Sequence, residues 1–286
     1  MTRPSSTRRS IPDASRQSNT VEVHLREKLL SRAELVALLV NEVGAPLVEL
    51  PFWPEADAHL DDPAARLVAL SARRQEGKTT YQTKTAITEL MLKPGSYTLM
   101  VAASEGQQQA IFLRKIRRPF EALLARLGVK RSAAIITKRS IELLELGSKV
   151  EVVATSEVTS PGRSVSLLIF DEARDIPDQV FTALAPSVLA MPGAKILVAS
   201  TAGRPRGWFY ELIRNPLPET RVVTSAGNAN PFADRGMLSF LEKQLARISP
   251  AAARRELGNE FTEDSESFLP EALIDAAIDD ALVVLV

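Results

Sequence analysis

The ten residues SARRQEGKTT (71–80) decide how the rest of the chain reads. They follow a short apolar run, RLVAL (66–70). They lead into helical periodicity from Lys78 to about Leu92, which Pro94-Gly95 ends. Strand, turn, then Gly-Lys-Thr at a helix start is the order that a phosphate-binding loop requires. Backbone N–H groups of the turn and of the helix start donate to phosphate oxygens. Lys78 supplies a mobile positive charge for the β and γ phosphates, and the Thr79 hydroxyl suits Mg²⁺. Gly77 lets the backbone approach without a Cβ in the way. The residues assigned to the nucleotide are Ala72, Gln75, Glu76, Gly77, Lys78, Thr79 and Thr80. Ala72 stands where the motif wants its first Gly, a departure that is tolerable if its backbone angles are ordinary. Arg73 and Arg74 are unusual in such a loop. One of them is a candidate to reach the γ-phosphate in cis and neutralise charge in the transition state.

A second stretch completes the site. In SLLIFDEARDI the apolar run Leu167–Phe170 reads as a buried strand, with Asp171 and Glu172 at its C-terminal end. Parallel α/β sheets hold their ligands at that end. Asp171 is expected to hold Mg²⁺, directly or through water, and Glu172 to orient the attacking water or take its proton. Two adjacent carboxylates are costly to bury without a metal or a cation, and Lys78 with Mg²⁺ would provide both. A third stretch, KILVASTAGRPRGWFYEL, runs from strand into Ser200-Thr201-Ala202 and Gly203. Small hydroxyl residues at that strand tip are candidates to sense the γ-phosphate and pass its loss to the next loop. Phosphate loop and acid pair together indicate a P-loop ATPase with a catalytic glutamate, its cofactors ATP and Mg²⁺.

The rest of the chain fits this reading. It has 286 residues, enough for one large domain or two small ones, and its formal net charge is +0. Any contact with nucleic acid must therefore come from local basic patches. There is no Cys, which excludes disulfides and thiolate metal sites. The longest apolar runs are far too short to span a bilayer, and His24 and His59 have no metal-ligand spacing. Residues 1–20, rich in Ser, Arg and Pro, read as a disordered basic arm. HLREKLLSRAELVALLVNEVG, within residues 21–47, reads as an accessory helix stopped by Gly44. Residues 48–226 alternate strand and helix, with EGQQQAIFLRKIRRPFEALLARLG read as a helix interrupted at Pro119. The fold class expected is an α/β P-loop NTPase of the RecA-like kind: a mostly parallel sheet with helices on both faces, plus a C-terminal helical segment at 227–286.

This combination resembles the ATPase domain of the large subunit of tailed-phage terminases, the DNA packaging motor. The resemblance is carried by SARRQEGKTT, VAASEGQQQA, SLLIFDEA, STAGRPRGWFYEL and NPFADRGMLSFLEKQLARISPAAARRELGNEF, over roughly residues 48–262. It implies ATP hydrolysis driving double-stranded DNA into a procapsid. The implied partners are a portal protein and a small terminase subunit, and the implied setting is a homo-oligomeric ring in the host cytoplasm. Carried over, Lys78 and Thr79 bind phosphate and metal, Asp171 binds the metal, Glu172 activates water, and Ser200 and Thr201 couple hydrolysis to movement. In such a ring an arginine of one subunit can complete its neighbour's site; Arg114, Arg117, Arg118 and Arg139 are candidates, or contacts for DNA phosphates. Two departures stand out. The upstream adenine-binding segment, which usually has a Gln, here holds Phe52-Trp53-Pro54-Glu55; Trp53 is read either as an adenine stacking partner or as core. No nuclease of the RNase H type is expected from this chain, and Glu263, Asp264, Glu266, Asp275, Asp279 and Asp280 are read as solvated charge. Two alternatives are a superfamily 2-like helicase fragment, for which residues 226–286 offer no second RecA-like domain, and an assembly protein with a weak or inactive nucleotide site.

Overall fold

Strand residues one apart face opposite ways, and here both directions are apolar. Val68 and Leu70, Met100 and Ala102, Leu167 and Ile169 pack into one hydrophobic core. Leu67 and Ala69, Leu99 and Val101, Leu168 and Phe170 pack into another. A sheet that is apolar on both faces must be covered on both. In this computed structural model, which describes residues 31–158, 164–225 and 230–263, it is. The strands are β1 Leu67–Ala72, β2 Tyr97–Ala102, β3 Ala134–Ile136, β4 Ser140–Leu143, β5 Ser148–Ala154, β6 Leu167–Asp171, β7 Lys195–Ser200 and β8 Thr220–Ser225. Their spatial order is β3-β4-β5-β2-β6-β7-β1-β8. From β5 to β8 every pairing is parallel, whereas β3, β4 and β5 pair antiparallel.

The helices are α1 Arg32–Leu38, α2 Trp53–Asp61, α3 Lys78–Leu92, α4 Glu105–Ala110, α5 Arg118–Leu127, α6 Asp178–Leu184, α7 Trp208–Arg214, α8 Arg235–Ile248 and α9 Pro250–Glu256. Tyr81, Leu90, Phe112 and Phe120 cover one face of the sheet, and Phe181, Leu184 and Phe209 the other. Phe181 is partly buried; each of the others stabilises the fold by about 1.5–3 kcal/mol. The mostly parallel sheet with helices on both faces is the expected fold class.

Two elements differ from expectation, and a third had no structure assigned from the sequence. The accessory helix is short: α1 begins at a capping box between Ser31 and Glu34 and ends at Leu38. The Asn41 side chain then accepts from the Val43 and Ala45 N–H groups (3.0 Å each), and Val40 bridges to Pro46, so a polar turn replaces the helix before Gly44. The part of that helix at 21–30, like the arm at 1–20, lies outside the described residues. Pro119 does not interrupt its helix: α4, a π-helical turn Ile111–Arg117 and α5 run on without a break. Pro119 falls in the first turn of α5, and the wider turn before it relieves the clash with the carbonyl four residues back. Finally, Trp53–Asp61 is helical, with Pro54 in its first turn. Trp53 is 2% exposed and packs on Tyr81 with ring centroids 5.9 Å apart, as a core residue.

Candidate functional site

The parallel strands place their C-terminal ends along one rim, and the sheet order decides which ends meet. β7 lies between β1 and β6, so the loop after β1, the acids at the end of β6 and the hydroxyls at the end of β7 converge. Lys78 opens α3, and its ammonium donates to the carbonyls of Ala72 (2.7 Å) and Arg73 (2.8 Å) and to Thr201 Oγ1 (2.9 Å). Thr79 Oγ1 donates to Asp171 Oδ1 at 3.0 Å. Residues 92 positions apart are thus in direct contact at the rim.

The loop backbone is shaped for this. Ala72 completes β1 and Gln75 takes a left-handed conformation, with φ 61°. Gly77 also has positive φ (75°), and a Cβ there would run into the Leu50 side chain. Glu172 is left-handed as well, with φ 51°. Such a backbone is costly for a residue with a Cβ and is typical of functional turns. It sets the Glu172 side chain beside a cavity of about 230 Å³ that Thr79 and Asp171 also line. Among the described residues no hydrogen bond holds the Glu172 carboxylate.

The electrostatics call for a cation. Burial, with Glu172 next door, pushes the Asp171 carboxyl up to about 7, while Thr79 and Lys78 work the other way. Burial also lowers the Lys78 pKa, against the fields of Glu172 and Asp171. One carboxylate, one hydroxyl and room for phosphate oxygens and water fit Mg²⁺, a hard ion that seldom has an all-protein cage. Among the described residues there is no group of three or more acidic or imidazole side chains that could hold a metal alone.

The two loop arginines already have carboxylate partners. Arg73 is buried, with Nε 2.8 Å from Glu76 Oε1. Arg74 pairs with Glu256 at the end of α9, which also accepts from Arg174 Nη2 at 2.8 Å. Burial would raise the Glu256 pKa, but its hydrogen bonds from Arg74 and Arg174 prevail and hold it low. Ser200 Oγ accepts from the Arg174 N–H at 3.2 Å, so both proposed coupling hydroxyls are engaged, one to each motif.

Two residues at the site had no role from the sequence. Asn259 has φ 52°, and its Oδ1 accepts from the Ala202 N–H (2.9 Å) and from Ser71 Oγ (3.3 Å). Asn230 Nδ2 donates to the Gln75 carbonyl at 2.8 Å. Their only sequence signal is a position within a helical appendix. Of the four candidate ring arginines, Arg117 pairs with Glu121 at 3.2 Å and Arg139 with Glu151 at 3.3 Å. Arg118 is exposed, and Arg114 borders the cavity beside the acids. A larger cavity of about 650 Å³, lined by Leu39, Val40, Leu47, Trp53, Gly77 and Thr80 among others, opens beside the phosphate loop.

Comparison with known proteins follows the same lines. Residues 65–215 match the family model described as terminase large subunit, ATPase domain. The chain is 27% identical over 225 residues to the large terminase subunit of Thermus virus P23-45, covering 68% of this chain and 45% of that relative. The large terminase of bacteriophage HK97 superposes with a TM-score of 0.65 at 17% identity, over 81% of this chain and 56% of the other. The large terminase ATPase domain of Thermus phage P74-26 gives 0.60 at 19% identity, over 81% and 98%. A large terminase from a thermophilic bacteriophage, solved in complex with ATP-γ-S, gives 0.55 at 12% identity, over 74% and 53%. At such identities the three structures speak to the fold alone, and this chain spans less than half the length of the viral relative.

Proposed function

We propose that this chain, which belongs to the family of terminase large subunit ATPase domains, binds and hydrolyses ATP and uses the energy to translocate double-stranded DNA. The observation that carries the reading is the meeting of three motifs at one rim: Lys78 on Thr201 at 2.9 Å, and Thr79 on Asp171 at 3.0 Å. The apolar cavity beside Gly77 and Thr80 would take the base, and the turn from Gln75 to Thr80 the phosphates. Thr79 and Asp171 would hold Mg²⁺, which when bound would neutralise charge on the β and γ phosphates. Glu172, beside Asp171, would take the proton as water attacks the γ-phosphorus, and the bridging oxygen would leave with ADP. Lys78 must release the loop carbonyls to reach those phosphates, and Thr201 is positioned to register that release.

The division into a P-loop domain at 48–226 and a helical segment at 227–286 belongs to the same proposal. So do the homo-oligomeric ring, the portal and small-subunit partners, and a site of action in the host cytoplasm. No helix among the described residues is long and apolar enough to cross a membrane. The test is magnesium-dependent ATP hydrolysis by the purified chain and by Glu172→Gln. The variant should hydrolyse ATP about 10²–10³-fold more slowly while still binding it. Equal rates in the two proteins would take Glu172 out of its role.

A further inference from the structure

We propose that Lys115, with Arg114 beside it, is a second cationic contact for the nucleotide's polyphosphate, supplied in cis by the π-helical turn Ile111–Arg117. The inference rests on the nucleotide reading above and adds residues that lie outside the three sequence motifs of the site.

Four observations carry it. The backbone is the first: seven consecutive residues are π-helical. Such turns are rare and gather at functional sites. Pro119 provides a local cause, and the widened turn changes which way residues 114 and 115 project. Position is the second observation. Lys115 Nζ lies 3.4 Å from Thr80 Oγ1, in the first turn of α3, where backbone N–H groups face the phosphates.

The third observation is the path between the cavities. Lys115 borders the 650 Å³ cavity with Gln75, Gly77 and Thr80, and also the 230 Å³ cavity with Thr79, Asp171 and Glu172. A nucleotide with its base in the first and its γ-phosphate beside the acids must run past Lys115. Arg114 borders only the acid-side cavity, where the γ-phosphate would sit. Glu42 borders both cavities too, and like Arg114 it is exposed.

Charge is the fourth. Asp171 and Glu172 are two acids against Lys78, and a magnesium triphosphate adds further negative charge. The loop arginines are committed to Glu76 and Glu256. Neither Arg114 nor Lys115 has a carboxylate within ion-pair distance among the described residues, whereas Arg117, on the same turn, is paired with Glu121. Lys115 is half-buried. A cation held at a site without a partner anion is available to a phosphate.

The experiment measures binding of fluorescent ATP, ADP and AMP analogues, with steady-state hydrolysis, for the full chain and for Lys115→Gln, Lys115→Arg and Arg114→Gln. Lys115→Gln should weaken ATP binding about ten-fold or more. The loss should shrink from ATP to ADP to AMP. Lys115→Arg, which keeps the charge, should stay within about three-fold of the parent. Arg114→Gln should lower kcat more than it raises KM. Lys115→Gln that binds and hydrolyses ATP like the parent overturns the proposal. So does an equal loss for all three nucleotides, which would mark a scaffolding role. Unchanged kcat in Arg114→Gln overturns Arg114's share. If the parent chain itself binds no ATP, and Lys78→Ala is no different, the nucleotide reading fails instead.

Discussion

The rim of the sheet and the helical segment that lies against it are held by opposite means. At the rim, Lys78, Asp171, Ser200 and Thr201 are all buried, on or beside strands with packed core on both faces. In the segment, α8 and α9 have no buried residue, and Phe240 and Ile248 are 54% and 77% exposed. The segment is attached by directed polar contacts, with Phe261 packed on Phe209 and Tyr210. Glu256 grips Arg74 and Arg174, Asn259 grips Ala202 and Ser71, Asn230 grips Gln75, and the Thr262 N–H donates to the Gly203 carbonyl at 3.1 Å. Nearly every one of these partners lies in a loop or strand end that the nucleotide reading assigns to phosphate, metal or coupling. The polar part of its attachment, unlike the core, consists of contacts that ligand binding at those loops would be able to exchange.

The contrast is open to a direct test at its two extremes. Ile169→Ala removes a fully buried side chain from β6 and should cost about 2–5 kcal/mol. Phe240→Ala, on the exposed face of α8, should stay within about 0.5 kcal/mol. Denaturant titration measures both, and similar losses would erase the distinction between rim and segment. Asn259→Ala is next in size, because it leaves the Ala202 N–H and the Ser71 hydroxyl without their acceptor, at about 1–3 kcal/mol. The loss should be local: hydrogen exchange should quicken in residues 230–263 and the strand ends it touches, and not in β2 or β6. Uniform quickening would mean that the segment belongs to the core after all.

A pH-dependent effect comes from the rim itself. Asp171 has its pKa raised to about 7 by burial and by Glu172. Between about pH 4 and pH 7, therefore, the folded chain binds this proton more tightly than the unfolded chain does. The metal-free protein loses stability as pH rises through that window, and the loss is complete above it. Asp171→Asn should raise the Tm of the metal-free protein by a few degrees at about pH 8, with no gain near about pH 4, and should abolish hydrolysis. A lowered Tm at the higher pH would show that the carboxylate is well accommodated without a metal.

Much of this is legible in the sequence because its causes are local. Gly77-Lys78-Thr79 specifies a turn and a helix start through its own backbone, and Leu167–Phe170 announces a buried strand through its own composition. Asp171 and Glu172 can be placed at a strand end for the same reason. Periodicity overextends the helix at 21–44 because apolar spacing continues through Leu39 and Val40, while the Asn41 turn that ends it depends on one side-chain amide. Pro119 reads as a break because a proline forbids a standard helical turn, and a π turn is a solution that periodicity does not reveal.

By itself, then, the sequence determined the strands, the phosphate loop and the acid pair, since each is encoded within about ten consecutive residues by propensity, polarity and backbone freedom. Only the tertiary structure decided their alignment: that β7 separates β1 from β6, so that Lys78 meets Thr201 and Thr79 meets Asp171. It also decided that Glu256 closes on Arg74 across 182 positions, and that Lys115 stands between two cavities. Such contacts follow from how helices pack over a twisted sheet, and packing is a property of the whole chain.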